Sequence, residues 1–112
     1  MRTKVFGSGV IRLYIALPKQ REEVRVLCKQ ALRSGTSVAA HAREASRARS
    51  DAEFCSKLDG LLQEADESLL WFEYLAEDCG IADADLNALR AEGGELIAIF
   101  TSIVAKLRRR TS

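Results

Sequence analysis

Residues 32–73, LRSGTSVAAHAREASRARSDAEFCSKLDGLLQEADESLLWFE, decide the fold, because they contain the end of one long helix, a capped break and most of a second helix. The break lies at SDAE (50–53), which fits the capping box S-x-x-E. In this motif the hydroxyl of the first residue accepts a hydrogen bond from the amide of the fourth, and the carboxylate of the fourth reaches back to the first. We therefore predict that one helix ends near Ala48 and the next begins near Asp51. A loop this short makes the two helices antiparallel neighbours.

The helix after the break has a continuous apolar seam. Its members follow steps of three and four residues, and at about 100° per residue they fall in one stripe, as in a helix that faces a bundle core. The seam residues are Phe54, Leu58, Leu61, Ala65, Ser68, Phe72, Leu75 and Cys79. The pattern predicts a helix of about 28 residues, roughly 42 Å long.

Two further helices carry a comparable seam. Before the break it comprises Val24, Leu27, Cys28, Ala31, Gly35, Val38, Ala42 and Ala45. In the last helix it comprises Leu86, Leu89, Gly93, Leu96, Phe100, Ile103 and Leu107. Between the third and fourth helices, Gly80 fits a left-handed C-cap and Asp83 fits an N-cap. Glycine inside a helix costs about 1 kcal/mol relative to alanine, so we expect a packing reason for Gly35, and a bend or a close contact at Gly93-Gly94.

A short apolar stripe at Val10, Leu13, Tyr14 and Leu17 predicts the first helix. We interpret Gly7-Ser8-Gly9 as its frayed start. The chain is therefore predicted to be an all-α protein, an up-down-up-down antiparallel four-helix bundle. A single domain is expected over residues 1–112. Its predicted helices cover residues 8–17, 19–48, 51–79 and 84–109.

The charges of the chain are segregated by helix. The net charge of all 112 residues is only +1. Residues 19–50 carry eight basic and three acidic side chains, whereas residues 51–79 carry one basic and nine acidic side chains. A basic second helix beside an acidic third helix favours ion pairing within or between bundles. No apolar run approaches the length of about 18 residues that a membrane span needs, so we expect no membrane association. Three cysteines without paired spacing favour a reducing compartment, so we expect a cytoplasmic protein.

The sequence offers little for enzyme chemistry. His41 is the single histidine, and with Glu44 it forms one pair at a spacing of three. A di-iron bundle needs two Glu-x-x-His motifs and further carboxylates, so no metal, cofactor or catalytic residue is predicted. We expect His41 to be a packed or interface histidine. Glu64 and Glu67 are also three residues apart, and nothing places a nucleophile beside them.

Two surfaces are candidates for function. Several bulky side chains of the third helix lie outside its seam, which predicts contact with another subunit. The predicted oligomer interface consists of Leu70, Trp71, Tyr74, Glu64 and Glu67. The second helix and the C-terminus carry a basic face that could meet an acidic partner or nucleic acid, although a solvated or ion-paired face is the simpler interpretation. This candidate face consists of Arg25, Lys29, Arg33, Arg43, Arg47, Arg108, Arg109 and Arg110.

An ordered series of short segments carries a family resemblance. The segments are RSGTSV (33–38), REA (43–45), RARS (47–50), AEF (52–54) and EADE (64–67), followed by Leu70-Trp71 and Glu73. In this series the chain resembles the small bacterial four-helix-bundle proteins related to the protein encoded in 23S rRNA intervening sequences, and more distantly the accessory variability determinant of diversity-generating retroelements. The resemblance implies a ring-shaped homopentamer without catalytic residues. The accessory determinant binds nucleic acid and a reverse transcriptase through a strongly basic surface, from which a net charge of +1 departs.

Two functions follow as expectations. The first is a non-enzymatic oligomeric scaffold or adaptor, a homopentameric ring that binds a protein partner. The alternative is an RNA- or DNA-associated bundle that uses the basic face of the second helix and the C-terminal arginines. The segregation of charge favours the first, because acidic side chains near the basic helix compete with phosphate; any nucleic-acid binding is expected to be weak.

Overall fold

The computed structural model describes the backbone of residues 1–111 and the side chains of residues 1–110. It confirms the predicted all-α four-helix bundle, drawn out to 50 × 21 × 20 Å. The elements are α1 (Arg2–Ala16), α2 (Glu22–Ser46), α3 (Asp51–Glu73), a π-helical turn (Tyr74–Asp78) and α4 (Ala84–Thr111). None of the helices in these residues combines the length and the apolar character needed to cross a membrane.

The first helix begins at Arg2, so the predicted start at residue 8 is wrong. The segment interpreted as a frayed start is helix interior, and Gly9 within it allows close packing. A Cβ on Gly7 would make an ordinary contact, 3.7 Å from the carbonyl oxygen of Gly35 on α2, whereas a Cβ on Gly9 would lie only 3.0 Å from Leu89 Cδ2 on α4. The packing of α1 against both neighbours therefore offsets the low helix propensity of glycine.

The break between α2 and α3 carries the Ser50 half of the predicted capping box. The Ser50 hydroxyl accepts a hydrogen bond from the Glu53 amide at 3.0 Å, and α3 begins at Asp51. Helix α2 is shorter than predicted at both ends, and Arg47 is its C-cap residue rather than part of its last turn. The three residues Arg47, Ala48 and Arg49 thus belong to the connection, which reverses the chain and makes α2 and α3 antiparallel neighbours.

The third helix does not continue regularly to residue 79. It changes at Tyr74 into one π-helical turn, which ends at Asp78. Gly80 then adopts φ +70° and the Ile81 amide donates to the Leu75 carbonyl at 3.0 Å, which confirms the left-handed cap. Asp83 Oδ1 accepts from the amides of residues 85 and 86 and caps α4, also as predicted.

The core follows the predicted seams. Their aliphatic members are mostly buried, and the rings of Phe6 on α1 and Phe72 on α3 meet edge to face across the centre, with centroids 6.3 Å apart. One polar contact lies among them, because Ser34 of α2 and Ser68 of α3 are fully buried and share a hydrogen bond of 2.8 Å. Each hydroxyl also lies within hydrogen-bond distance of a carbonyl of its own helix. The serine that accepts in the shared bond can donate to that carbonyl, so both polar groups are satisfied.

Candidate functional site

The outer surface of α3 carries exposed apolar side chains, as predicted. Leu70 and Tyr74 are each 40% exposed and point away from the core. Trp71 is half-buried beside them, with its ring centroid 6.4 Å from that of Tyr74, and its indole Nε1 has no hydrogen-bond partner in the part of the chain that the structure describes. We call Leu70, Trp71 and Tyr74 the α3 patch. Buried indole N–H groups usually have an acceptor. Because this one has none within the described residues, the patch resembles the edge of a contact surface.

The two acidic residues of the predicted interface have partners within the chain. Arg33 of α2 forms ion pairs with Glu64 at 3.2 Å and with Glu67 at 3.1 Å. The Glu64 side chain is only 16% exposed. The arrangement joins α2 to α3 across their groove, so these three charges contribute first to the packing of the bundle itself.

The basic face of α2 divides into paired and unpaired charges. Arg25 pairs with Glu22 on its own helix. Within residues 1–110, the side chains of Arg43, Arg47 and Arg49 make no ion pair. These three arginines border an open groove of about 710 Å³ between the C-terminal half of α2 and the start of α3. The groove is also lined by Thr36, Ala39, Ala40, Glu44, Glu53 and Lys57.

The C-terminal arginines belong to α4 rather than to a separate tail. Helix α4 continues to Thr111, and Arg108 forms an ion pair with Asp59 of α3 at 2.5 Å. Within the candidate basic face, Arg108 therefore has an acidic neighbour on α3. The cause is the length of α4, which carries Arg108 back alongside the first turns of α3.

The two ends of the bundle differ in charge. Residues 41–59 and 99–110 form the end at which α2 and α4 finish, and they hold eight basic and four acidic side chains, a net +4. Residues 12–25 and 73–90 form the opposite end and hold five basic and seven acidic side chains, a net −2. The charges are thus separated along the long axis of the molecule as well as between the second and third helices.

His41 packs between α2 and α3. A Cβ at Gly60 would lie 2.9–3.3 Å from three atoms of its ring, so the glycine makes room for the imidazole. His41 Nδ1 lies 3.5 Å from Glu44 Oε1, too far for a good hydrogen bond, and it has no other partner among the described residues. This position fits a packed histidine and brings no second candidate ligand beside it.

The remaining chemistry-bearing side chains are dispersed. No group of three or more His, Cys, Asp or Glu residues within the described chain is arranged to hold a metal ion. Cys28, Cys55 and Cys79 are buried free thiols. Burial raises the pKa of Cys28, which favours the unreactive thiol over the thiolate.

The outer surface of α1 is apolar, which the sequence reasoning missed. Its exposed side chains are Met1 at 76%, Val5 at 64%, Ile11 at 43% and Ile15 at 73%. We call these four residues the α1 patch. They lie opposite the buried stripe of the same helix. The signal was present in the sequence as apolar residues at positions 1, 5, 11 and 15, but it is visible only when the helix is extended to Arg2.

An ion-pair cluster fixes the beginning of α1 to α4. Arg2 donates to Glu92 at 2.8 Å and to Glu95 at 2.7 Å. The hydrogen bond from Arg2 holds the pKa of Glu92 below its ordinary value, and the two carboxylates raise the pKa of Arg2. The cluster helps explain why the helix extends to the first residues of the chain.

Taken together, the fold and the surfaces define a small all-α bundle protein whose distinctive features are apolar and charged outer surfaces rather than an enclosed pocket. The chain belongs to the 23S rRNA-intervening sequence protein family, whose model matches residues 2–102. A crystal structure of a protein of unknown function of the S23 ribosomal protein family, from Bacteroides thetaiotaomicron VPI-5482, is similar to it with a TM-score of 0.82 and 33% identity. The match covers 92% of this chain and 94% of that one. No curated protein matches the chain.

Proposed function

We propose that this protein is a non-enzymatic scaffold or adaptor of the cytoplasm, which assembles into a ring-shaped homopentamer and binds a protein partner. The observation that carries the proposal is the α3 patch. Two of its large side chains are 40% exposed on a helix whose opposite side is fully buried. Adjacent exposed apolar side chains of this kind mark contact surfaces in soluble proteins.

The family resemblance supplies the ring and its subunit number. The surfaces support assembly in general, because both the α1 patch and the α3 patch expose apolar side chains that a second chain would cover. The charged ends remain at the rims of such an assembly and offer the surface on which a protein partner of opposite charge is bound.

Light scattering coupled to size-exclusion chromatography tests the assembly. Five copies of 12.4 kDa give 62 kDa, and we expect this mass at micromolar concentration. A mass of 12.4 kDa would refute assembly. A dimer or tetramer would retain a subunit interface and reject the pentamer.

A second candidate function is binding to RNA or DNA, which one observation favours. Arg43, Arg47 and Arg49 are unpaired in the described part of the chain and converge on one open groove, where Lys57 is already ion-paired with Glu44 at 3.2 Å. Glu44 and Glu53 line the same groove and compete with phosphate. We therefore expect binding that is weak and indifferent to sequence.

A salt series measured by fluorescence anisotropy tests this second candidate with labelled RNA and DNA. On duplex DNA, each phosphate contact contributes about −0.9 to the slope of log affinity plotted against log salt concentration. Three contacts, one from each unpaired arginine, give a slope of about −2.7, and binding is expected to vanish near physiological salt. Sub-micromolar affinity that survives physiological salt and is lost in Arg43→Glu would place nucleic acid ahead of protein assembly. Lys29→Glu, an unpaired cation outside the groove, is the matched control.

A further inference from the structure

The two apolar patches lie on opposite sides of the bundle. Helix α1 packs against α2 at Gly7 and against α4 at Gly9, whereas α3 packs against α2 at Ser68 and against α4 through Leu69, which approaches Gly93. Helices α1 and α3 therefore occupy diagonal corners. Because each patch faces away from the core on its own helix, the two patches face away from one another.

The α3 patch also lies within the height spanned by the longer α1 patch, which reaches about 7.5 Å below Phe6 at Met1 and about 13.5 Å above it at Ile15. The contact between the rings of Phe6 and Phe72 places these residues at one level, and in an up-down-up-down bundle α1 and α3 run in the same direction. With a rise of about 1.5 Å per residue, Leu70 and Tyr74 lie about 3 Å below and above this level. Val5 and Ile11 lie about 1.5 Å below and about 7.5 Å above it. A copy placed beside another without an axial shift brings unlike patches together.

The charges around the patches are complementary. Lys4 and Arg12 accompany the α1 patch, and neither forms an ion pair within residues 1–110. Asp66 and Glu73 accompany the α3 patch and are unpaired in the same range. On a helical wheel with about 100° per residue, Arg12 and Glu73 both lie on the side of their helix that faces α4. Oppositely charged rims of this kind favour contact between the two patches over contact of either patch with itself.

Resting on the assembly proposed above, we infer that the α1 patch of one copy packs against the α3 patch of the next copy. Such a contact is heterologous, because it joins two different surfaces and leaves one of each unused at the ends of any open row. The Arg33 pairs support this assignment, since they engage Glu64 and Glu67 within the chain and leave α1, rather than the basic face of α2, as the complement of the α3 patch.

The placement of the side chains also favours closure of the row. On α1, Ile11 lies on the side towards α2, and on α3, Trp71 and Tyr74 lie on the side towards α2, by the same wheel of about 100° per residue. Met1 and Val5 lie on the opposite side of α1, towards α4, so the α1 patch as a whole faces straight outwards and only the contact direction of the α3 patch is inclined towards α2. Successive copies then turn about one axis, as a closed ring requires, with α2 facing its interior. A groove of about 370 Å³ between α1 and α4, lined by Val5, Arg12 and Leu89, adds a recess next to the α1 patch.

Two single variants and their mixture test the contact. Ile15→Glu places a charge in the α1 patch, and Tyr74→Glu places one in the α3 patch. Both positions are exposed, so circular dichroism is expected to be unchanged. By light scattering, each variant alone is expected to shift from the wild-type mass to 12.4 kDa. Because each retains one intact surface, a 1:1 mixture is expected to give a heterodimer of twice 12.4 kDa and nothing larger.

Val5→Glu and Leu70→Glu repeat the test at second positions, and Ala98→Glu, an exposed alanine of α4, is the control that keeps the wild-type mass. Dimers formed by either variant alone would show that like surfaces pair, which would overturn the inference. An oligomeric wild type with Ile15→Glu and Val5→Glu unchanged in mass would also overturn it, while leaving the proposed assembly intact. A monomeric wild type would overturn both.

Discussion

Substitution of Gly35 by alanine is expected to destabilise the protein, although alanine is the better helix former. The added Cβ would lie 2.8 Å from Val10 Cγ2 and 3.0 Å from Val10 Cγ1, which is closer than carbon atoms pack. Val10 is 1% exposed, and a β-branched side chain in a helix has one strongly preferred rotamer, so it cannot turn aside. Overpacking costs about 1–3 kcal/mol, and this contact belongs at the upper end.

The higher helix propensity of alanine offsets about 1 kcal/mol of the overpacking cost, so the free energy of unfolding falls by about 2 kcal/mol in all. For a domain of this size the Tm falls by about 8 °C. Urea unfolding followed by circular dichroism measures the loss. Gly94→Ala is the matched control, because nothing lies within 4 Å of its added Cβ, and it is expected to raise stability by about 0.4–1 kcal/mol.

A double substitution isolates the contact. Val10→Ala removes both methyl groups that the new Cβ would meet, so Gly35→Ala is expected to cost at least about 1 kcal/mol less in that background than in the wild type. If Gly35→Ala stabilised the protein as Gly94→Ala does, the close approach of α1 and α2 would not limit the residue at this position, and the packing argument would be refuted.

Three further predictions concern the core, a thiol and the beginning of α1. Leu61→Ala is expected to cost about 2–5 kcal/mol in urea unfolding, because Leu61 is fully buried, and an unchanged midpoint would remove it from the core. Cys28, whose pKa is raised by burial, is expected to react with a thiol reagent far more slowly in the native protein than in urea, and equal rates would contradict its burial. The pKa of Glu92 is lowered mainly by its hydrogen bond with Arg2, so this stabilisation is present above the ordinary pKa and is lost as pH falls through the lower folded-state value. Arg2→Ala is therefore expected to lower stability at pH 7 and to have a vanishing effect in acid; an effect independent of pH would argue against this pair.

The parts of the fold that depend on local chemistry could be predicted from the sequence. The cap at Ser50 and the left-handed turn at Gly80 depend on residues within one turn of each other, and both are found where they were predicted. The seam of α3 depends on periodicity alone, and its middle members are fully buried. By contrast, the start of α1 depends on contacts with a distant helix, made by Gly9 with Leu89 and by Arg2 with Glu92, and glycine-rich sequence by itself indicates an irregular segment.

The candidate surfaces were predictable in part, because a helical wheel shows which side chains lie outside the core but not which residues they contact. The wheel placed Leu70 and Tyr74 outside, and the structure exposes both. It placed Arg33 and Glu64 on their own helices, but the pairing of the two across the groove between α2 and α3 depends on the relative rotation of those helices. The contact between His41 and Gly60 depends on the same rotation, so it too was absent from the sequence analysis.

The unequal ends of the bundle have a consequence for symmetry. In a cyclic assembly every copy points the same way, so five ends of +4 would gather on one rim as +20, and five ends of −2 would gather on the other as −10. Dihedral symmetry would mix the two kinds of end on each side. A cyclic ring consequently has two sides of opposite charge. It could bind a charged surface through one of these sides, or stack rim to rim on another ring. Salt would weaken both arrangements, because the charges that create them are exposed to solvent.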